Sequence, residues 1–296
     1  KIIKLTDKYP DITELWYTYG MVMRAFSVYY NDSDYEDYAI EKFNLGLLHD
    51  ASNAEIYFEL AKSYKNMGVN LEDTELLIEA KKYFEKAKDL KTASPMIIYE
   101  YGKTLLDIAK LTDDQETTTQ ALIQFEYILQ HQKESILQRP GWLFYYGQAL
   151  DRLGDCHENE NYYLKAIEAF HSVLLIDPDY KDVYLNLGLA FSHLGELSME
   201  SKYFIKSINY FKLAANQEEE NDVIWLEWGT SLIYLAQAMV DNISANQYYM
   251  EAKQKLVKAG QLGNLDSYYT LACLFALTNN PQEAVHFLSK AHKQEV

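Results

Sequence analysis

One small residue recurs along the chain at nearly constant spacing. Successive members of the series are separated by 41, 41, 45, 41, 41 and 43 residues: Gly20, Ala61, Gly102, Gly147, Gly188, Gly229 and Ala272. Five of the 12 glycines fall in this single register. Because scattered turn glycines do not keep one period, the spacing predicts a repeated structural unit that fills the chain.

Large apolar residues flank each small residue at fixed offsets. Four residues before it stand Trp16, Tyr57, Ile98, Leu143, Tyr184, Trp225 and Tyr268, and three residues after it stand Met23, Tyr64, Leu105, Leu150, Phe191, Leu232 and Phe275. Offsets of 0, 4 and 7 lie on one face of an α-helix. The pattern predicts an amphipathic helix with a notch into which a neighbouring helix can pack.

A second pattern follows the first in every unit. Nineteen residues after the first five small positions stand Ala39, Ala80, Ala121, Ala166 and Ser207, each followed four residues later by Phe43, Phe84, Phe125, Phe170 or Phe211. The last two units carry Ala252 with Leu256 and Ala284 with Leu288. Since no stretch alternates as a strand does, the sequence predicts an all-α chain of fourteen helices in seven antiparallel hairpins.

The combined pattern resembles the tetratricopeptide repeat (TPR). The resemblance covers essentially the whole chain and implies an α-solenoid, or superhelix, of about seven repeats. The chain would then be a single domain, residues 1–296, with repeats at about 13–52, 54–92, 95–133, 140–178, 181–219, 222–264 and 265–293. Because it begins at Lys1 without methionine, we expect it to be an excerpt of a longer chain.

The repeats depart from the family pattern in length. The seventh has the usual spacing of 12 residues between its two small positions, whereas the first five have seven more and the sixth has eleven more. The usual 34-residue period is thus stretched to about 41. Seven residues add about 10 Å of helix, so we expect taller hairpins. We expect residues 154–165 and 195–206 to form a turn followed by the first turns of the second helix.

Charge restricts the class of partner. The formal net charge is −17, from 27 basic and 44 acidic residues. A protein that binds nucleic acid needs a basic surface, so nucleic acid is not expected as a partner. No stretch predicts membrane insertion. Two distant cysteines suit a reducing compartment, so we predict a cytoplasmic protein. The sequence does not indicate an oligomeric state.

No pattern for catalysis or metal binding is present. The segment CHENEN, residues 156–161, does not match the His-Glu-x-x-His zinc pattern. The segment NDSDYED, residues 31–37, lacks the glycine and distal glutamate of a calcium loop. No phosphate-binding loop or nucleophile elbow occurs. We therefore predict no catalytic, cofactor or metal site, and a protein that is not an enzyme.

A second stripe on each first helix carries the candidate binding residues. In similar repeats, the positions three before, one after and four after the small residue line the concave groove. Large apolar residues on this stripe include Tyr17, Phe58, Tyr99, Phe144, Leu185 and Leu226, and the cations in its N-terminal half are Arg24, Lys62, Lys65 and Lys103. We expect these residues to form a peptide-binding groove whose N-terminal half prefers acidic side chains.

The favoured function is a protein-interaction scaffold that binds a peptide or helix of a partner in this groove. The basic clamp of TPR adaptors for chaperone tails needs a lysine three residues before the small position and an asparagine one after it, and this pattern is absent. The alternative is a targeting or assembly module of a larger enzyme or secretion component. A helical toroid glycosidase is the third hypothesis, and it would need paired carboxylates on a closed ring.

Overall fold

A computed structural model describes residues 2–30, 32–91 and 94–294. These residues contain no β-strand and form fifteen α-helices and one 3-10 helix. The helices are α1 Ile2–Lys8, α2 Thr13–Tyr30, α3 Asp34–His49, α4 Ala54–Asn70, α5 Thr74–Leu90, α6 Pro95–Thr112, α7 Gln115–His131, the 3-10 helix Lys133–Gln138, α8 Gly141–His157, α9 Glu160–Ile176, α10 Val183–Ser198, α11 Ser201–Gln217, α12 Asp222–Gln237, α13 Asn242–Gln261, α14 Asp266–Leu277 and α15 Pro281–Gln294.

The all-α fold of helical hairpins is confirmed. In the described part of the chain the hairpins are α2–α3, α4–α5, α6–α7, α8–α9, α10–α11, α12–α13 and α14–α15. The prediction of fourteen helices was wrong by one, since α1 precedes the first hairpin. Residues 31 and 92, which end or begin segments discussed above, lie outside the described residues.

The chain divides into two compact units, residues 1–145 and 146–296. The boundary follows Tyr145, inside α8. The first unit contains α1, three complete hairpins and the start of α8. The second contains the rest of α8 with α9 and three further hairpins. Whether the whole chain behaves as a single domain stays a prediction.

The small residue of each first helix is the contact point with the second helix. A Cβ atom added to Gly188 would lie 2.5 Å from the ring of Phe211, and one added to Gly147 would lie 2.6 Å from the ring of Phe170. The equivalent phenylalanines of the first five hairpins are all fully buried: Phe43, Phe84, Phe125, Phe170 and Phe211. The predicted close helix crossings at Gly102, Gly147, Gly188 and Gly229 are therefore confirmed.

A second contact layer accounts for the lengthened repeats. Seven residues after Gly188, Gly195 lies against the ring of Phe204, and seven after Gly147, Gly154 lies against the ring of Tyr163. Because the later glycine meets the earlier aromatic, each pair of helices is antiparallel. The seventh hairpin lacks the extra residues, and its first helix has 12 residues against 16 to 18 in the others.

The extra length is divided between both helices, which corrects our expectation for the connections. Residues 154–157 and 195–198 end α8 and α10, and only Glu158–Asn159 and Met199–Glu200 form the turns. The first residue of each turn adopts the left-handed conformation, with φ of 47° at Glu158 and 58° at Met199. Asn159 then caps α9 by accepting a hydrogen bond from the Asn161 backbone N–H at 3.0 Å. Glycine is absent from these turns, so the sequence did not indicate them.

The first aromatic of several repeats ties its helix to the preceding loop. Trp16 donates its indole N–H to the Pro10 carbonyl at 2.6 Å, and Trp225 donates to the Glu219 carbonyl at 2.8 Å. The Tyr57 hydroxyl reaches the carbonyl of Ala51 in the same way, again six residues earlier. A polar aromatic is needed here because its ring packs between helices while its polar atom satisfies a loop carbonyl.

Candidate functional site

The aromatic residues of the predicted groove contact the core of their own hairpins. The ring centroid of Tyr17 lies 6.2 Å from that of Phe43, Phe58 lies 5.9 Å from Phe84, and Tyr99 lies 6.4 Å from Phe125. These three groove side chains are half-buried, so each keeps part of its surface accessible. Phe144 differs because only 5% of its surface is exposed. Phe144 therefore serves mainly in packing.

Arg24 lies between two buried carboxylates. Its guanidinium forms an ion pair with Glu59 of the next repeat, and its Nε lies 3.5 Å from Glu36 of α3. The side chains of Glu36 and Glu59 are only 6% and 8% exposed. Lys62 supports the same centre, with its Nζ 3.2 Å from Glu59. Both ion-pair partners of Arg24 are thus within the protein, and its side chain joins the first two repeats.

Lys65 forms the equivalent link one repeat later. Its Nζ lies 3.1 Å from Glu100 and 3.7 Å from Asp107. Arg24 with Glu59 and Lys65 with Glu100 are both separated by 35 residues. A cation four residues after one small position therefore meets a glutamate two residues before the next. The link repeats because the repeats themselves stack in register.

Lys103 completes this group of charges. Its Nζ lies 3.5 Å from Glu100 and within 5.2 Å of the ring centroids of Tyr99 and Tyr145. Burial alone would raise the pKa of Glu100, but Lys65 and Lys103 outweigh it and lower that pKa. At Asp107 burial outweighs the same lysines and raises the pKa. All four predicted groove cations consequently have carboxylate partners within the protein.

Two cavities lie on the predicted stripe of the first unit. The smaller, about 260 Å³, is lined by Tyr17 and Phe58 together with Glu55, Glu59, Lys91, Ser94, Met96 and Ile97. The larger, about 820 Å³, includes Lys65 and Lys103 in its lining. The structure therefore groups the predicted residues into an aromatic pocket and a separate charged cleft. Arg24 and Lys62, paired with Glu59, are absent from the linings of both.

In residues 146–296 the predicted groove residues are apolar. Leu185 and Leu226 are half-buried and pack against one cluster of buried side chains, which includes Trp228, Leu232 and Ile233. Leu189, on the same stripe, packs there too. These residues therefore contribute to the core of the unit and leave only part of their surface for a ligand.

A charged cluster that the sequence reasoning missed lies in this second unit. The Nδ1 atom of His193 in α10 is 3.3 Å from Asp151 and 3.4 Å from Asp155, both in α8. The Tyr163 hydroxyl donates to Asp155 at 2.6 Å. Asp151 stands four residues after Gly147, on the stripe already identified, so its position could have indicated a partner for a cation of the next repeat.

The side chains of Asp151, Asp155 and His193 form an ion-pair cluster. Three potential metal-ligand atoms, from Asp151, Asp155 and His193, lie within 4.8 Å of one another. Burial would lower the pKa of His193, but Asp151 and Asp155 outweigh it and raise the pKa to about 10. A protonated imidazole has no lone pair for a metal ion. The geometry therefore matches a charged hydrogen bond between His193 and Asp151, with Asp155 as a second ion-pair partner.

Replacing His193 by glutamine is expected to destabilise the protein most below neutral pH. The folded pKa lies above the ordinary 6.5, so the stabilisation is complete below about pH 6.5 and is lost as the pH rises towards 10. We expect His193→Gln to cost about 2 kcal/mol near pH 6 and little near pH 10. Urea unfolding at a series of pH values measures this difference.

His171→Gln is the matched control for that experiment. Burial, with a smaller effect of Lys206, lowers the pKa of His171, opposite to the shift at His193. The stability difference between wild type and this variant should therefore not shrink as the pH rises above 6.5. A His193→Gln cost that is the same at all pH values would contradict the ion-pair assignment.

None of the helices in residues 2–30, 32–91 and 94–294 combines the length and the hydrophobicity that a membrane-spanning segment needs.

The comparisons with known proteins agree on one repeat family. The tetratricopeptide repeat model matches residues 147–180, which contain most of α8 and all of α9. No curated protein sequence matches the chain. A tetratricopeptide repeat protein from Parabacteroides merdae superposes with a TM-score of 0.64 at 13% identity, over 94% of this chain and 93% of that chain.

Two further solved structures share the fold. The C-terminal part of a TPR repeat-containing protein from Cytophaga hutchinsonii gives a TM-score of 0.51 at 16% identity, over 91% of this chain and 93% of that one. YrrB, described as a TPR protein with an unusual peptide-binding site, gives 0.54 at 16% identity, over 75% and 95%. The chain therefore shares the fold of tetratricopeptide repeat proteins, and its fourth repeat matches the sequence model of that family.

Proposed function

We propose that the chain is a protein-interaction scaffold that binds a peptide or helix of a partner protein. The observation that carries the proposal is the aromatic pocket of about 260 Å³, defined by Tyr17, Phe58 and Met96 with its other lining residues. Helical hairpin repeats present extended surfaces for such ligands. The peptide-binding site in the description of YrrB belongs to that protein, and it supports the proposal by similarity of fold.

The predicted groove residues have distinct parts in this proposal. Tyr17, Phe58 and Tyr99 offer apolar surface to an anchoring side chain of the ligand. Arg24 and Lys65 join consecutive repeats through Glu59 and Glu100, which keeps the aromatic residues in place. Lys62 and Lys103 pair with the same two glutamates from within their own helices. Phe144 supports the first unit from within the core, and Leu185 and Leu226 offer a second, apolar surface in residues 146–296.

Changes in the aromatic pocket are expected to weaken the partner complex about tenfold or more, because buried aromatic anchors carry most of the affinity of an interface. Partners would be captured from a native lysate, identified by mass spectrometry and titrated as recombinant proteins. We expect dissociation constants on the order of micromolar. Phe58→Ala removes the anchor surface, and Met96→Glu places a charge at the rim, where Met96 is 38% exposed.

Two controls accompany this titration. Phe58 also contacts Phe84, so unfolding midpoints establish that the Phe58→Ala variant is folded. Leu175→Glu adds the same charge at an 87% exposed apolar residue of α9, outside the pocket, and should leave affinity unchanged. Unchanged affinity in both pocket variants would exclude the aromatic pocket. The alternative function, a targeting or assembly module of a larger enzyme or secretion component, is tested by reading the full open reading frame.

A further inference from the structure

The larger cavity of the first unit is a cleft between the ends of its first two hairpins. One wall comes from the end of α2 and the start of α3, and the other from the end of α4. Lys103 and Asp107 of α6 and Tyr145 of α8 complete the lining of a space of about 820 Å³. This volume falls within the range of protein ligand sites. It is large enough to admit several side chains of a bound segment.

The two lysines of the cleft are not available as free cations. Lys65 is 8% exposed, and its Nζ is held by Glu100 and Asp107 at 3.1 and 3.7 Å. Lys103 shares Glu100 and lies over two tyrosine rings. A carboxylate of a ligand would have to displace Glu100 or Asp107 from these lysines, and the displaced carboxylate would stay half-buried without a partner.

Two carboxylates at the cleft have no cation. Asp32 and Asp37 line its wall and are exposed, and neither forms an ion pair with any residue in the described part of the chain. The lining groups and their ion-pair partners comprise six carboxylates, Asp32, Glu36, Asp37, Glu59, Glu100 and Asp107, and four cations, Arg24, Lys62, Lys65 and Lys103. The excess of two negative charges is carried by Asp32 and Asp37.

Apolar groups accompany these two carboxylates, of which Asp32 also accepts a hydrogen bond from the Asp34 backbone N–H at 3.0 Å. Val28 is 82% exposed on the same wall as Asp32, and Val69 and Leu71 are 47% and 67% exposed on the opposite wall. Lysine and arginine side chains combine a long aliphatic stem with a charged end. Such a side chain can lie along the valine and leucine surface while its charge reaches Asp32 or Asp37.

We infer that the cleft binds a segment of a partner protein that carries lysine or arginine side chains. This inference rests on the proposed scaffold function and reverses the acidic ligand that the row of cations suggested. The formal charge of −17 acts in the same direction, because it attracts a basic segment at long range and repels an acidic one. Electrostatic complementarity of this kind mainly sets association rate and selectivity.

A displayed library of random peptides, selected against the full chain, tests the charge preference. We expect the bound peptides to be enriched in lysine and arginine at some positions. A selected peptide and its counterpart with glutamate at those positions would then be synthesised and titrated. The glutamate counterpart should bind at least about tenfold more weakly, since it loses attraction and gains repulsion.

A pair of charge-neutral variants assigns the preference to the cleft. Asp32→Asn combined with Asp37→Asn should weaken binding of the selected peptide about fivefold, because exposed ion pairs each contribute little to affinity. The matched control combines Glu75→Gln with Glu116→Gln. Both glutamates are exposed in the first turn of a second helix, as Asp37 is, but they lie outside the cleft lining.

The outcomes separate this inference from the scaffold proposal. Enrichment of acidic peptides, or basic peptides that bind both pairs of variants equally, overturns the inference about the cleft. If those peptides still lose affinity on Phe58→Ala, the scaffold proposal stands. If no peptide is enriched above background, both fall. Enrichment of basic peptides that depends on Asp32 and Asp37 supports the inference.

Discussion

Replacing Arg24 by methionine is expected to lower the free energy of unfolding by about 3–5 kcal/mol, because it leaves a buried carboxylate without its cation. Glu36 has Arg24 as its ion-pair partner and its side chain is 6% exposed. Glu59 keeps Lys62 at 3.2 Å, so Glu36 is the group that loses most. Methionine fills much of the volume of the arginine stem, and the loss therefore reports charge rather than a cavity. Urea denaturation of the full chain measures it.

Two further variants test whether the loss comes from the uncompensated charge of Glu36 and whether it depends on the burial of the ion pair. Adding Glu36→Gln to Arg24→Met removes the orphaned charge and should restore at least about half of the lost stability. Lys82→Met breaks the pair between Lys82 and Glu79, whose side chains are 58% and 37% exposed. This exposed pair should contribute less than about 1 kcal/mol. Equal losses for Arg24→Met and Lys82→Met would show that burial does not set the strength of the Arg24 link.

The hairpin fold could be predicted because its signal is local and repeated. A small residue, large residues at fixed offsets and a phenylalanine 23 residues later encode one helix crossing, and the chain contains this pattern five times. The lengthened part was harder to predict. Its small positions form a second register, Ser27, Gly68, Ala109, Gly154, Gly195 and Ala236, which follows the first by seven residues. That register places Gly154 against Tyr163 and would have assigned residues 154–157 to α8.

The charges of the candidate site could not be predicted in the same way. Periodicity placed Arg24, Lys65 and Lys103 on one stripe, but it did not show which carboxylates face them. Glu36 comes from the second helix of the same hairpin, and Glu59 comes from the following repeat. Such pairings depend on how two hairpins stack. The stripe therefore appeared cationic in sequence, whereas in the structure its cations are neutralised.

Replacing Phe211 by alanine is expected to cost about 3–5 kcal/mol, the usual range for a fully buried phenylalanine. The side chain is 0% exposed, and its ring lies against Gly188, which has no Cβ to fill the vacated space. Hydrogen exchange should show the loss first in α10 and α11, since each repeat is stabilised mainly by its own contacts and its neighbours. Urea denaturation gives the overall magnitude.

The stability change caused by a second substitution, which should be opposite in sign in two backgrounds, is a sharper test of this packing. With Phe211 present, Gly188→Ala places a Cβ 2.5 Å from the ring and should cost about 1–3 kcal/mol. In the Phe211→Ala background, the same change meets no ring and should stabilise the helix by up to about 1 kcal/mol through its higher helix propensity. The double-mutant cycle should therefore give a coupling energy of about 1–4 kcal/mol.

The second hairpin provides the control for that cycle, because alanine already stands at its small position. Ala61 and Phe84 occupy the register of Gly188 and Phe211, and both are 0% exposed. Ala61→Gly should cost about 1 kcal/mol with either phenylalanine or alanine at position 84, since helix propensity acts in both backgrounds. A change of sign at Gly188 and none at Ala61 would show that the glycine is required by close contact with the ring. If the stability change on Gly188→Ala keeps the same sign in both backgrounds, as at Ala61, the residue at the small position acts through helix propensity and not through the distance between helices.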